Sequence, residues 1–202
     1  MGKTYVMTDI HGRLEPLKAL LAQIPEGAKI VFLGDYVDRG SESREVVALV
    51  RSLHANGAVC LRGNHEDMVC AADPRNWLSN GGASTVLSYR HPLTGELDGA
   101  ALLDDIKWFS GLPTIHRDAR RVYVHAGVDA SYDLSDMPED ITQWYRYPST
   151  TDIGYRGLTV VHGHTPGVFE GRNRICLDAG MIRMCCGVFD DDNDGMEVLL
   201  WA

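Results

Sequence analysis

Residues whose side chains can bind a metal ion follow the ends of several apolar segments along this chain. These residues are Asp9, His11, Asp35, Asn64, His65, His125 and His164. Carboxylate, amide and imidazole groups together suit borderline divalent ions such as manganese, iron or zinc. The set contains no thiolate, which argues against a structural zinc site.

The apolar segments must be strands that end side by side if these residues are to act together. The runs Tyr5–Thr8, Lys29–Leu33 and Ala58–Leu61 alternate with two intervals of helical spacing. Residues 5–65 therefore predict a β-α-β-α-β order and a parallel sheet, with steps of about 30 residues, typical of a βαβ unit. Because such sheets bind ligands at the carboxyl ends of their strands, the polar residues are expected to converge there.

The second half of the chain has a different pattern. Residues from about 67 to 110 are helical and loop-rich and predict a lid or helical insertion at the metal edge. Later strands are predicted around 113–116, 121–125, 158–161, 174–177, 184–189 and 196–201, with an acidic hairpin turn at 190–195. No repeat or linker interrupts the chain, so residues 1–202 are predicted to form a single domain.

The composition narrows the classes of partner. Nineteen basic and 28 acidic residues among 202 give a net charge of −9. That charge disfavours a nucleic-acid polymer as partner, because such binding needs a basic stripe. We expect no membrane span and no signal peptide. Five cysteines without a CxxC pair predict a reduced, cytoplasmic protein. The oligomeric state stays open.

Five sequence blocks carry a family resemblance. The segments Asp9-Ile-His-Gly, Gly34-Asp-Tyr-Val-Asp-Arg-Gly and Leu61-Arg-Gly-Asn-His-Glu resemble the signature blocks of the phosphoprotein phosphatase family of dinuclear metallophosphoesterases. His125-Ala-Gly and Gly163-His-Thr resemble its two later histidine blocks, in the same order. The resemblance is to bacterial and phage serine/threonine phosphatases near the symmetrical diadenosine tetraphosphatases. It implies an α/β, α+β-like fold: a four-layer calcineurin-like β-sandwich flanked by helices, with the metals at the strand ends.

The same resemblance implies a ligand set for two divalent ions. Asp9 and His11 would bind the first ion, and Asp35 would bridge both. The second ion would be held by Asn64, His125 and His164. Manganese is the expected metal, with iron, zinc, nickel or cobalt as alternatives. Two such ions would activate a water as the hydroxide that attacks phosphorus.

Catalytic and substrate-binding roles follow from the resemblance in the same way. His65 would protonate the leaving oxygen and Asp38 would orient its imidazole. Arg39 would bind the phosphate through its planar guanidinium, joined by Asn64 and His65. Arg146, which follows Trp144-Tyr145, resembles the second phosphate-binding arginine of the family.

Three functions compete. The first is hydrolysis of phosphate monoesters by a serine/threonine or dual-specificity protein phosphatase, on phosphorylated proteins, peptides or small phosphate esters. The alternative is a symmetrical dinucleoside polyphosphate hydrolase, with Trp77 or Tyr89 stacking on a base. We rank it second because Arg75 and Arg90 are the only arginines or lysines between residues 67 and 99. A non-catalytic metal-binding module ranks third, since the candidate acid and phosphate-binding residues are all present.

Some conspicuous residues have a simpler structural interpretation. Arg62 is expected to pair with an acidic neighbour, and Glu66 to serve as a structural partner near a helix start. His162 is expected to lie beside the metals without binding them. Trp77, Asn80 and Tyr89 are either substrate contacts or parts of a small helical subdomain, and the sequence favours neither. Cys185 and Cys186 should face opposite sides of a strand.

Overall fold

The computed structural model describes residues 2–148, 151–193 and 196–202. The described strands are Lys3–Met7 (β1), Lys29–Phe32 (β2), Val59–Cys60 (β3), Ile115–Arg117 (β4), Arg121–Val124 (β5), Thr159–His162 (β6), Phe169–Glu170 (β7), Arg174–Cys176 (β8), Cys185–Asp190 (β9) and Met196–Trp201 (β10). The α-helices are Leu14–Leu21 (α1), Ser43–Ala55 (α2), Asn64–Cys70 (α3), Pro74–Trp77 (α4), Ala83–Ser88 (α5), Gly99–Ser110 (α6) and Glu139–Trp144 (α7). A π-helical turn, Leu78–Gly82, joins α4 to α5.

Two five-stranded sheets form the centre of the molecule. Their orders are β10-β9-β1-β2-β3 and β4-β5-β6-β8-β7. Strands β1, β2 and β3 are parallel neighbours, which confirms the prediction from residues 5–65. Strands β9 and β10 form the predicted antiparallel hairpin, although Asp194 and Gly195 of its turn lie outside the described residues. The predicted class, a mixed α/β fold with two sheets flanked by helices, is confirmed.

Alternation along the strands explains how the first sheet is buried on both faces. In β1, Val6 packs into the core between the two sheets, with Tyr123 and Val161 of the second sheet. Its neighbour Met7 faces the other way, into the core that contains Leu17 of α1. Cys185 and Cys186 likewise lie in different cores, as predicted. With both faces covered, only the strand ends are left for polar residues.

Helices α3 to α6 occupy the range predicted for the insertion. Tyr89, which follows α5, is fully buried and donates its hydroxyl to Asp105 Oδ2 of α6 at 2.6 Å. Arg44 of α2 donates to Ser88 Oγ through its backbone N–H and pairs with Asp98 at 2.7 Å. These bonds hold the helical segment against α2. Across the described part of the chain, no helix combines the length and the apolar character needed to cross a membrane.

Candidate metal centre

The loops after β1 and β2 run side by side at the carboxyl edge of the first sheet. Asp9 N–H donates to Gly34 O at 3.2 Å, and His11 N–H donates to Asp35 O at 2.9 Å. These bonds continue the parallel pairing beyond the last strand residues. The loops therefore present Asp9, His11 and Asp35 at one edge, as expected for polar residues at the ends of neighbouring strands.

Unusual backbone conformation is concentrated at this edge. Seven described residues other than glycine have positive φ angles, and only Arg156 among them is not a predicted site residue. The other six, with φ between 47° and 72°, are Asp9, His11, Asp35, Asp38, Arg39 and His164. Such conformations cost about 1–3 kcal/mol each and persist where the surrounding structure enforces them. The surrounding contacts therefore hold these side chains in place at the cost of an unfavourable backbone conformation.

Glycines allow the loops to approach closely. A Cβ on Gly63 would collide with the carboxylate of Asp35, and one on Gly163 would collide with the carboxylate of Asp9. Gly34, at φ +105°, could not carry a side chain without striking the backbone of Gly63. The motif glycines are therefore needed to pack the acidic side chains against neighbouring backbone.

Asp35 lies between two groups of potential metal ligands. Its Oδ2 is 3.5 Å from His11 Nε2, and its Oδ1 is 3.4 Å from His125 Nε2. His11 and His65 form one group with Asp35, and Asp9 and His125 form the other; within each, the ligand atoms lie within 4.8 Å. One carboxylate that serves both groups has the arrangement that a bridging ligand requires. His65, predicted as an acid, stands close enough to be a ligand.

Asn64 and His164 complete the side nearer His125. Asn64 Oδ1 is 2.8 Å from His125 Nε2 and 3.0 Å from His164 Nδ1. His164 Nε2 is buried and has no hydrogen-bond partner among the described residues. A buried polar atom without a partner is costly, and a metal ion would satisfy it. The buried amide, carboxylate and imidazole groups around it are of the types that bind a divalent cation, so the residues present fit one.

The histidine rings are oriented through backbone carbonyls. His11 Nδ1–H donates to Val37 O at 2.9 Å, and His125 Nδ1–H donates to Leu33 O at 3.1 Å. In both rings Nε2 is then the unprotonated atom and faces the site. Burial lowers the pKa of His11 well below its usual value, that of His125 to about 3 and that of His164 to about 2. The rings are thus neutral, the form that binds metals.

The carboxylates at this edge are removed from water without enough positive charge to balance them. Burial raises the pKa of Asp9, and burial with the charges of Asp9 and Glu66 raises that of Asp35 well above its usual value. Asp178, just beyond β8, has its pKa raised to about 7 by burial and by the charge of Asp9. A bound cation relieves such a cluster.

Sequence reasoning did not find Asp178, although the signal was present. It follows β8 as Asp9 follows β1, at the same kind of strand end. Asp178 is buried and accepts a hydrogen bond from Gly180 N–H at 2.8 Å. The rule that polar residues at strand ends converge on the ligand would have included it.

Asp38 and His65 form a buried pair beside the ligand groups. His65 Nδ1–H donates to Asp38 Oδ2 at 2.7 Å. The other carboxylate oxygen of Asp38 accepts from Trp77 Nε1 at 2.8 Å and from Thr85 Oγ1 at 2.6 Å. Asp38 is fully buried, so these bonds replace its hydration. The imidazole of His65 is consequently held with Nε2 towards the site.

The two predicted phosphate-binding arginines lie near different histidines of the centre. Arg39 donates to His11 Nε2 at 2.9 Å and to His65 Nε2 at 3.1 Å. Arg146 is exposed, and its charge contributes to the low pKa of His164. Arg39 is therefore available to an anion bound beside His11 and His65, and Arg146 to one bound near His164.

Other candidate residues make local bonds. Arg75 pairs with Asp73 at 2.6 Å and is largely exposed, while Arg90 donates to Gly95 O. Asn80 is exposed and donates to Asn76 O at 2.8 Å; it precedes Gly81, whose carbonyl accepts the Arg39 backbone N–H, and its contact with substrate stays a prediction. Trp77 and Tyr89 are buried by the packing of the helical segment. The prediction that either ring stacks on a substrate base is therefore wrong.

The structural interpretations of three polar residues are confirmed. Glu66 accepts the backbone N–H groups of residues 35, 36, 37 and 63, and so fixes the loop after β2. Arg62 pairs with Glu139. His162 accepts from Arg174 through Nε2 at 3.0 Å and donates through Nδ1–H to Gly163 O at 2.9 Å, so neither ring nitrogen is free to bind a metal.

Comparison with known proteins decides the family. The family model described as calcineurin-like phosphoesterase matches residues 2–193. This chain belongs to the calcineurin-like phosphoesterase family. The predicted resemblance to the phosphoprotein-phosphatase type of this family is thereby confirmed. The family implies divalent ions, and the donor set above fits them.

The chain is also similar to individual proteins of known name. The symmetrical bis(5'-nucleosyl)-tetraphosphatase of Marinomonas sp. is 36% identical over 137 residues, which cover 65% of this chain and 46% of that enzyme. The one of Pectobacterium atrosepticum is 30% identical over 91% of this chain and 69% of its own length. The chain thus spans about half to two thirds of these relatives. A crystal structure described as a candidate diadenosine tetraphosphatase has a TM-score of 0.72 and 25% identity, covering 100% of this chain and 93% of that one.

Proposed function

We propose that this protein hydrolyses dinucleoside polyphosphates symmetrically, as the names of its relatives state for them. The observation that carries this proposal is the 30% identity to the Pectobacterium tetraphosphatase over 91% of the chain. The expectation ranked first from the sequence, a protein phosphatase, moves to second place, because the relatives favour the alternative. The reaction class is the same in both cases, and only the group attached to the phosphate differs.

Six residues hold the metals in this proposal. Asp35 would serve both ions. Asp9 and His11, whose Oδ1 and Nε2 are 3.9 Å apart, would hold one of them, and Asp9 also lies within reach of His125 on the other side. The other side is formed by Asn64, His125 and His164, where the partnerless His164 Nε2 supports the assignment. Two divalent ions held there would neutralise the phosphoryl oxygens and lower the pKa of a water for attack on phosphorus.

His65 donates the proton to the leaving oxygen. Asp38 holds the Nδ1 proton of the ring, and Nε2, which accepts from Arg39 in this structure, faces the site. The acid is therefore the imidazolium form, in which Nε2 carries the proton that passes to the leaving oxygen. In symmetrical cleavage the leaving group is a nucleoside diphosphate, a weakly basic anion. It needs less protonation than an alkoxide, so His65 contributes less to this reaction than to hydrolysis of an alkyl phosphate.

Arg39 and Arg146 bind the phosphate chain. A guanidinium matches two phosphoryl oxygens at once, and two arginines near different histidines of the centre suit a substrate longer than one phosphate. Asn64 and His65 complete the phosphate contacts. The helical segment 67–110 borders the site and supports Asp38 through Trp77 and Thr85.

A substrate panel tests the proposal. Diadenosine tetraphosphate, a phosphoserine peptide and glycerol phosphate are compared after addition of manganese to chelator-treated protein. We expect the highest kcat/KM for the dinucleotide, and nucleoside diphosphate as its only nucleotide product. Products of unequal length would contradict symmetrical cleavage. A phosphopeptide rate above the dinucleotide rate would return the protein phosphatase to first place.

A further inference from the structure

Two exposed aromatic side chains border the metal centre near His164. Trp144 and Tyr145 are 40% and 39% exposed. The ring centroids of Trp144 and His164 are 6.0 Å apart, with an angle of 79° between the planes. Helix α7 ends at Trp144, and the chain continues in an extended conformation through Tyr145. The turn at the end of α7 thus places both rings at the rim of the site.

The ring of Tyr145 packs against the loop that carries His125. Its ring lies on Gly127, where a Cβ would come within 2.8 Å of Tyr145 Cδ1. Tyr147 packs against it edge to face at 4.9 Å and is itself buried, with its hydroxyl accepting from Val128 N–H. The absent side chain at residue 127 therefore makes room for the aromatic rings. A braced ring loses little conformational freedom when a ligand stacks on it.

We propose that Trp144 and Tyr145 form the platform on which a base of the dinucleoside polyphosphate stacks, an inference that rests on the proposed function. Arg146 directly follows both residues, and its charge acts on His164, which the Trp144 ring contacts, so a base on the platform would place its own phosphates near that guanidinium and the metal ligands. Stacking suits any base, because every base has an aromatic face. The aromatic residues of the helical segment cannot serve in this way, since Trp77 and Tyr89 are buried.

The contribution of base stacking is measured by a specificity ratio. This ratio is the kcat/KM for diadenosine tetraphosphate divided by the kcat/KM for glycerol phosphate, which has no base. We expect Trp144→Ala and Tyr145→Ala each to lower the ratio by about 5- to 100-fold, mainly through KM for the dinucleotide. Trp144→Phe, which keeps an aromatic face, should recover most of the loss.

Tyr132→Ala is the matched control. Tyr132 is 41% exposed, about as much as Trp144 and Tyr145 are. Its carbonyl accepts the hydroxyl of Tyr155, which lies before the start of β6, whereas His164 follows the end of that strand. We expect it to leave the ratio unchanged. An unchanged ratio in Trp144→Ala and Tyr145→Ala, or an equal loss on both substrates, would overturn the platform alone. Absence of dinucleotide hydrolysis by the unaltered protein would overturn the proposed function and the platform with it.

Discussion

The two sides of the metal centre are built in different ways. On the helical side, Asp38 and Arg39 are bonded to residues 77–85, and Asp38 in turn holds His65. Both oxygens of the Asp38 carboxylate have hydrogen-bond donors. On the histidine side, Asn64, His125 and His164 lie next to exposed aromatic rings, and His164 Nε2 has no described partner. A group whose donors and acceptors all have hydrogen-bond partners is held in one orientation, whereas a group with an unpaired donor or acceptor can bind a ligand. We therefore propose that the helical side supplies the proton donor, and that the histidine side binds metal and substrate.

Removal of metal should have the largest effect, because it acts on both sides at once. We expect chelation to abolish hydrolysis and manganese to restore it. Asp35→Asn should lower metal content and turnover together, by roughly 10³-fold or more in kcat/KM. Elemental analysis and steady-state kinetics measure the two effects. Asp73→Asn, which changes an exposed ion pair with Arg75, is the control. Full activity in protein shown to be metal-free would contradict a metal-dependent site.

His65→Asn should separate chemistry from ligand binding on the helical side. We expect both metals to remain while kcat falls by roughly 10²- to 10⁴-fold for an alkyl phosphate, the range for a lost general acid. The loss should be smaller for the dinucleotide, whose leaving group is less basic. Metal analysis decides the outcome: an emptied site would make His65 a ligand, as its distance of 3.9 Å from Asp35 Oδ2 also permits.

Weaker effects should follow from loss of the donors to Asp38. Trp77→Phe and Thr85→Val each remove one hydrogen bond to its Oδ1, and we expect kcat to fall about 10-fold for either, since bonds to charged groups contribute about 1.5–3 kcal/mol. The dependence of rate on leaving-group basicity should steepen, which simple loss of stability would not cause. Thr85→Ser keeps the hydroxyl and should retain activity. A uniform loss across leaving groups would argue against a positioning role.

The smallest effect is expected from the two arginines of the helical segment. Arg75 is tied to Asp73 at the surface, and Arg90 donates to a backbone carbonyl. Exposed ion pairs contribute little, so the double variant Arg75→Ala, Arg90→Ala should change kcat/KM for the dinucleotide by about twofold at most. A collapse of dinucleotide hydrolysis in that variant would place the substrate over the helical segment and away from Trp144.

Much of the architecture could be predicted from local sequence pattern. The parallel order of β1, β2 and β3, the hairpin of β9 and β10, and the opposite facing of Cys185 and Cys186 all follow from periodicities that act over a few residues. The convergence of polar residues follows from one rule about strand ends. The same rule would have found Asp178, had it been applied to β8.

The environment of each side chain was decided only by tertiary structure. Trp77 and Trp144 are the same residue type, each near a predicted site residue in sequence, yet one ring is buried on Asp38 and the other stands exposed beside His164. Burial depends on which distant elements pack together, and no local pattern encodes that for a single ring. For the same reason sequence could propose His65 as an acid but not show that Asp38 would be held by Thr85, 47 residues further along. Spacing determined which groups reach the edge, and packing determined what each can do there.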